Sequence, residues 1–167
     1  NIIFNYFKII EKKYLEKSNY NLVTHDSDLP KGRGMSPVTW EILKGKSEIT
    51  LSLIEANEKM DAGAIYFKKK IKIDKGLVFN EIKKIQFNSN MDLIIKFLKF
   101  YKKNKTAPSS KKQKGVATYY KLRKPADSRI NINKSLKSQF NLMRVCDYEN
   151  YPCHFYFNKK KYLINLI

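Results

Sequence analysis

Asn21-Leu-Val-Thr-His25-Asp-Ser-Asp-Leu-Pro30-Lys-Gly-Arg-Gly34-Met-Ser-Pro37-Val-Thr-Trp40, continued by Ile49-Thr-Leu-Ser-Leu-Ile-Glu-Ala56 and Met60-Asp61-Ala-Gly63-Ala-Ile65, is the stretch from which the rest of the chain is read. Leu22 to Thr24 reads as a short strand that delivers a histidine at its end. Pro30, Gly32, Gly34 and Pro37 then punctuate a polar loop. A helix is expected from Pro37 to Lys44, because proline suits the first turn, where its missing N–H would be unpaired anyway. Gly45 is the natural C-cap. Glu48 to Glu55 alternates as a strand, and Asp61 precedes Gly63, where a tight turn can aim its carboxylate back toward His25. A histidine and an aspartate on loops at strand ends form a common acid/base arrangement.

Outward from there, Ile2 to Phe7 reads as a buried strand, Lys8 to Lys17 as a helix and Tyr20 to Thr24 as the next strand. That order predicts an α/β unit with parallel strands. Ala64 to Ile73 is a further strand. From Val78 to Lys103 the pattern is helical, with Met91, Ile94, Ile95, Leu98 and Tyr101 on one face and an interruption possible at Asn88-Ser-Asn90. The Lys-, Ser- and Gln-rich run from Lys102 to Gly115, with Pro108, reads as a mobile linker. Beyond it come a short strand (119–122), a helix from Asn133 to Val145 with Asn133 as N-cap, and a hairpin of His154–Phe157 and Tyr162–Leu166. Three parts are expected: 1–104, a linker at 105–118, and a small α+β extension at 119–167.

The chain has 167 residues, enough for a real core. It has no apolar run of about eighteen residues, so no membrane span is expected. The first residues lack the basic flank and cleavage site of a signal peptide, and a cytoplasmic location is expected. Cys146 and Cys153 match no metal-ligand spacing and read as two buried or partly buried thiols. Asp26 and Asp28 lack further ligands, so no metal site is expected. The net charge of +19 suits nucleic acid, phosphorylated substrates or an acidic surface. The bland alternative is an Asn-, Ile- and Lys-rich composition of the kind an AT-rich genome produces, since the lysines are spread along the chain.

His25-Asp-Ser27-Asp-Leu29-Pro30-Lys-Gly-Arg33-Gly34-Met-Ser-Pro37 and Met60-Asp61-Ala-Gly63-Ala-Ile65 resemble the folate-dependent formyltransferase family, which acts on glycinamide ribonucleotide, methionyl-tRNA or sugar nucleotides. Arg123-Lys-Pro125-Ala-Asp127, Gln139 to Arg144, Tyr151-Pro152 and the closing hairpin resemble the segment that follows the catalytic domain in its sugar- and tRNA-formylating members. The resemblance implies an α/β fold: the C-terminal part of a Rossmann-like formyltransferase domain, a mostly parallel sheet with flanking helices, followed by a helix and hairpin. Such proteins begin with about two more strand–helix units. The chain alone is therefore expected to be incomplete, with an unprotected sheet edge.

The implied reaction moves a formyl group from N10-formyltetrahydrofolate to a primary amine. It needs donors for a negative oxygen, an acceptor for the amine proton and a donor for the departing nitrogen. His25 and Asp61 are the catalytic residues implied. Where the family has an asparagine two residues before the histidine, this chain has Val23. Asn21, a further two residues back, could replace it only if a bulge shortened the roughly 7 Å between them. Phe7, Ile9 and Ile10, with Glu58 and Met60, fall where relatives hold the pterin. Ser27, Lys31, Arg33 and Gly34 fall where the amine substrate lies, and Arg33 could meet a phosphate. For Ile9 and Ile10 a core role is equally open, as is a solvated loop for Lys31 and Arg33; Trp40 and His154 read as structural. The implied acceptor is an amino sugar on a nucleotide sugar, in surface-polysaccharide synthesis, because the tail is short. Methionyl-tRNA is the alternative, and a non-catalytic remnant the third reading. A homodimer is left open.

Overall fold

The computed structural model describes residues 1–4 and 8–166. Phe7, and with it the end of the first expected strand, lies outside the described residues. A four-stranded sheet runs in the order β1 (Ile2–Ile3), β2 (Leu22–His25), β4 (Glu48–Glu55), β5 (Ile65–Lys72). The β1–β2 pairing is parallel, as the strand–helix–strand order predicts, with the short helix α1 (Lys12–Leu15) between them. The other two pairings are antiparallel, so the sheet described here is mixed rather than mostly parallel. For β4 and β5 the cause is local, since they are joined directly by the 56–64 turn, which reverses the chain. Ile2 is 44% exposed, because β1 is the terminal strand of that order, and the expectation of a buried strand does not hold there.

Helix α2 (Pro37–Leu43) starts at the proline and stops before Gly45, whose N–H bonds to the Ile42 carbonyl. Helix α3 (Phe79–Asn104) is continuous through Asn88-Ser-Asn90. Its start is secured by Glu81, whose carboxylate accepts from the Val78 N–H at 2.9 Å. The buried stripe is Ile82, Asn90, Leu93, Ile94 and Phe97, whereas Ile95, Leu98 and Tyr101 are exposed. The face is therefore rotated from the expected one. Asn90 and the half-buried Gln86 occupy inward positions that a purely apolar count skips. The core lies between this stripe and the sheet, with Leu51, Leu53 and Ile71 from the strands, Ile73 just past β5, and Val38 and Ile42 from α2. Leu51 to Ile54 are all buried, since β4 is an inner strand covered on both faces.

After a two-residue strand β6 (Tyr119–Tyr120), which pairs in parallel with β3 (Arg33–Gly34), a 3₁₀ turn (Pro125–Ser128) leads to α4 (Leu136–Arg144) and the hairpin β7 (Cys153–Phe157) and β8 (Lys160–Ile164). The N-cap of α4 is Ser135, whose hydroxyl accepts from the Ser138 N–H, rather than Asn133. Ile130, Met143, Cys146 and Cys153 form a second, smaller core. Both thiols are free and buried. The neighbouring Cys153, with Ser128 and Arg123 beside it, holds Cys146 below the usual thiol range, and Cys146 together with burial pushes Cys153 well up. Arg144, 2% exposed, ties the tail to the body by donating to the carbonyls of Asp74 at 3.0 Å and Leu77 at 3.2 Å. Burial lowers its pKa. Among the described residues no helix is long and apolar enough to cross a membrane.

Two substitutions test this packing. A Cβ at Gly63 would lie 1.5 Å from the Glu55 carbonyl oxygen, so Gly63→Ala forces the β4–β5 ends apart. Its unfolding free energy in urea should fall by about 3 kcal/mol, whereas Gly76→Ala, with nothing nearby, should be close to neutral. Arg144→Leu keeps bulk but no donors, and should lower the same quantity by about 2 kcal/mol.

Candidate active site

A cleft of about 1220 Å³ runs along the ends of β1 and β2. His25, at the end of β2, is 7% exposed and lines it, as does Asp61 from the β4–β5 turn. His25 Nε2 lies 2.8 Å from the Gly32 carbonyl oxygen. A carbonyl only accepts, so Nε2 carries the hydrogen. Nδ1 faces Asp61 Oδ1 at 3.4 Å. Both ring nitrogens are thus turned to acceptors, one from the loop and one from the turn.

The loop is shaped to make this contact. Gly34 has φ +95°, and its N–H donates to Asp61 Oδ2 at 2.8 Å. A Cβ there would lie 2.4 Å from the Tyr120 carbonyl oxygen, so only glycine fits. Asp61 itself is left-handed, with φ +49°. The segment expected to be a mobile linker is tied across both pieces. Lys111 and Ile65 exchange N–H···O bonds at 2.8 Å, and Thr118 accepts from the Gly32 N–H at 2.8 Å and the Arg33 N–H at 2.9 Å. Gln113 bonds Arg33, Asp61 and Gly63. This segment reads as a linker because its ordering comes from single main-chain bridges and one amide, which leave no apolar period.

The other expected positions divide. Ile9, Ile10, Met60, Gly34 and Val23 line the cleft, and Ile9 is 57% and Met60 41% exposed in it. Glu58 and Lys31 are exposed and do not line it. Ser27 is buried beneath the loop, its carbonyl accepting from Ser52 Oγ at 2.8 Å. Arg33 also points away from the cleft, holding Gln113 and the Tyr119 hydroxyl. Asn21 is not brought to the site. Its side chain joins Asn1 and the Leu15 carbonyl, and β2 pairs with β4 in unbroken register from Leu22 to His25, so no bulge shortens the distance.

Three features escaped the sequence reading. Asp26 also lines the cleft, and takes the side-chain amides of Gln86 and Asn90 from α3. Trp40 is stacked on Tyr120 at 6.2 Å, at the surface beside the loop. Burial, then a hydrogen bond to Glu41, pushes Tyr120 up to about 12, so its hydroxyl is a neutral donor. No local pattern announces any of these, since each pairs residues far apart in the chain. Among the described residues there is no cluster able to hold a metal ion.

The formyl transferase family model matches residues 1–97. Methionyl-tRNA formyltransferase of Thermodesulfovibrio yellowstonii is 30% identical over 159 residues, 95% of this chain and 50% of that protein. The solved methionyl-tRNA formyltransferase from Clostridium thermocellum superposes with a TM-score of 0.78 at 28% identity, covering 94% of this chain and 66% of that one. A structure described as a likely sugar N-formyltransferase from Mycobacterium tuberculosis gives a TM-score of 0.79 at 13% identity, covering 99% and 72%, which is a likeness of fold alone. The chain spans about half the length of the curated relatives it matches. With that model extending over more than half of its 167 residues, and the histidine, glycine loop and aspartate turn meeting in one cleft, the chain belongs to the formyl transferase family.

Proposed function

We propose that the chain serves transfer of a formyl group from N10-formyltetrahydrofolate to a primary amine, with His25 and Asp61 as the acid/base pair. The observation that carries this reading is the contact of His25 Nδ1 with Asp61 Oδ1 at the cleft wall. The cleft suits such a donor. Ile9, Ile10, Val23, Ile54 and Met60 offer an apolar wall that a flat ring would cover, and the polar pair stands among them. When bound, the donor supplies an activated formyl carbonyl.

The chain's own groups then do the following. Ile9, Ile10 and Met60 hold the ring, and the Gly32 carbonyl fixes the imidazole through Nε2–H. The proton given up by the amine is held between Nδ1 and Asp61 Oδ1, where the carboxylate stabilises the imidazolium. From there it is available to the nitrogen that departs as the donor's formyl C–N bond breaks. Asp61 stays aimed because Gly34 donates to its other oxygen. Val23 contributes apolar wall and no hydrogen bond.

For the acceptor, the first reading is now the amino group of methionyl-tRNA. Its support is the similarity to methionyl-tRNA formyltransferases over nearly the whole chain, tail included, together with a charge of +19 that suits a polyanion. An amino sugar on a nucleotide is the second reading, since a protein described as a likely sugar N-formyltransferase shares the fold.

Incubation with N10-formyltetrahydrofolate and each acceptor, followed by mass spectrometry of the product, tests the proposal. Formylation is expected with charged initiator tRNA, and its rate should fall about a hundredfold or more in His25→Ala and Asp61→Asn. Product from the amino sugar alone would decide for the second acceptor. Unchanged rates in both variants would overturn the assigned pair.

A further inference from the structure

Gln113 lies between α3 and β6, outside both apolar cores. Its side-chain amide is used on every side. Oε1 accepts from Arg33 Nη2 at 2.7 Å and Nε at 3.3 Å, while Nε2 donates to the carbonyls of Asp61 at 2.7 Å and Gly63 at 2.9 Å. Two lone pairs and two hydrogens are all that an amide has, so none is left over. Its partners are the loop that contacts one nitrogen of His25 and the turn that contacts the other.

We propose that Gln113 is a positioning residue for the His25–Asp61 pair, and the proposal rests on the formyl-transfer reading of that pair. An L-residue in the left-handed region costs on the order of 1 kcal/mol, and it persists only where its surroundings hold it there. Asp61 is in that region and is held from two directions. Gly34 grips the carboxylate and Gln113 grips the carbonyl of the same residue. Gln113 is itself kept in place by main-chain bonds on either side, at Lys111 to Ile65 and at Thr118 to Arg33. Its other edge clamps Arg33, between the glycine whose carbonyl meets His25 and the glycine whose N–H meets Asp61. One planar amide thus sets the spacing of loop and turn, and through it the separation of imidazole and carboxylate.

Two variants separate the two edges. Gln113→Glu keeps acceptors for Arg33 but turns an oxygen toward the carbonyls of Asp61 and Gly63; Gln113→Ala frees both sides. The Gly34 N–H reports where the Asp61 carboxylate is, because that oxygen is its acceptor. Amide exchange followed by NMR should show Gly34 exchanging about tenfold faster or more in both variants, with the amides of β4 unchanged. In the formyl-transfer assay, kcat should fall by about ten- to a hundredfold in both, the scale of an ångström-sized misplacement. KM for the acceptor should stay near the wild-type value in both, because Arg33, on the other edge of Gln113, faces away from the cleft. Wild-type exchange at Gly34 in Gln113→Glu would overturn the proposal. Equal acceleration at Gly34 and throughout β4 would also overturn it, by making the residue merely structural. Should the wild-type chain formylate neither acceptor, the functional reading fails, while Gly34 exchange still decides whether Gln113 positions Asp61.

Discussion

The two oxygens of the Asp61 carboxylate join the end of β2, the loop before α2 and the turn between β4 and β5 at one point. One oxygen faces His25 at the end of β2, and the other accepts from Gly34 in the loop before α2. The aspartate is carried by the turn between β4 and β5. Remove that carboxylate and the loop is left tied to the turn through Gln113, while the imidazole keeps only the Gly32 carbonyl. The site is therefore a junction of loop and turn resting on a rigid antiparallel pair of strands. Its precision comes from β4, whose central residues are buried on both faces and cannot shift without disturbing the core.

Two further constraints build on that junction. The 105–120 segment passes over it and is stitched down by main-chain bonds to Ile65, Arg33 and Met35 and by the Thr118 hydroxyl, which accepts from the Gly32 N–H. Gly63 lets the turn approach Glu55 closely enough for the carboxylate to point inward. Behind them, Arg144 links the helix-and-hairpin tail to the bend between β5 and α3, so the small second core is joined to the large one through a buried guanidinium. Val145, just after α4, adds an apolar link, since it packs in the large core while Met143 and Cys146 pack in the small one.

The parts that read well from sequence are those decided within a few residues. Pro37 opens α2 and Gly45 ends it, and Leu22 to His25 pairs as a strand with the histidine at its tip. The alternation of Glu48 to Glu55 and the closing hairpin are local patterns too. Misreadings came where a polar side chain took an inward position. Asn90 on α3 is buried because Asp26 meets it, and this turns the helix face away from the one that apolar spacing suggests. Ser135 rather than Asn133 caps α4 because Asn131 and Gln139 hold the preceding turn. Asn21 does not reach the cleft, because the register of β2 against β4 leaves it to tie down the end of α1.

Residue type and short spacing are enough to show the family, the strand that carries His25, the glycines that permit the loop and the aspartate in its turn. Tertiary structure alone decided that Nε2 is taken by Gly32, that Arg33 faces Gln113 rather than the cleft, and that a lysine-rich linker is a strap across the site. The physical reason is one of range. Dihedral preferences and apolar periodicity act over a few residues and show in the order of the chain. A buried hydrogen bond between residues as far apart as Asp61 and Gln113 has no counterpart in either neighbourhood until the chain has folded around it.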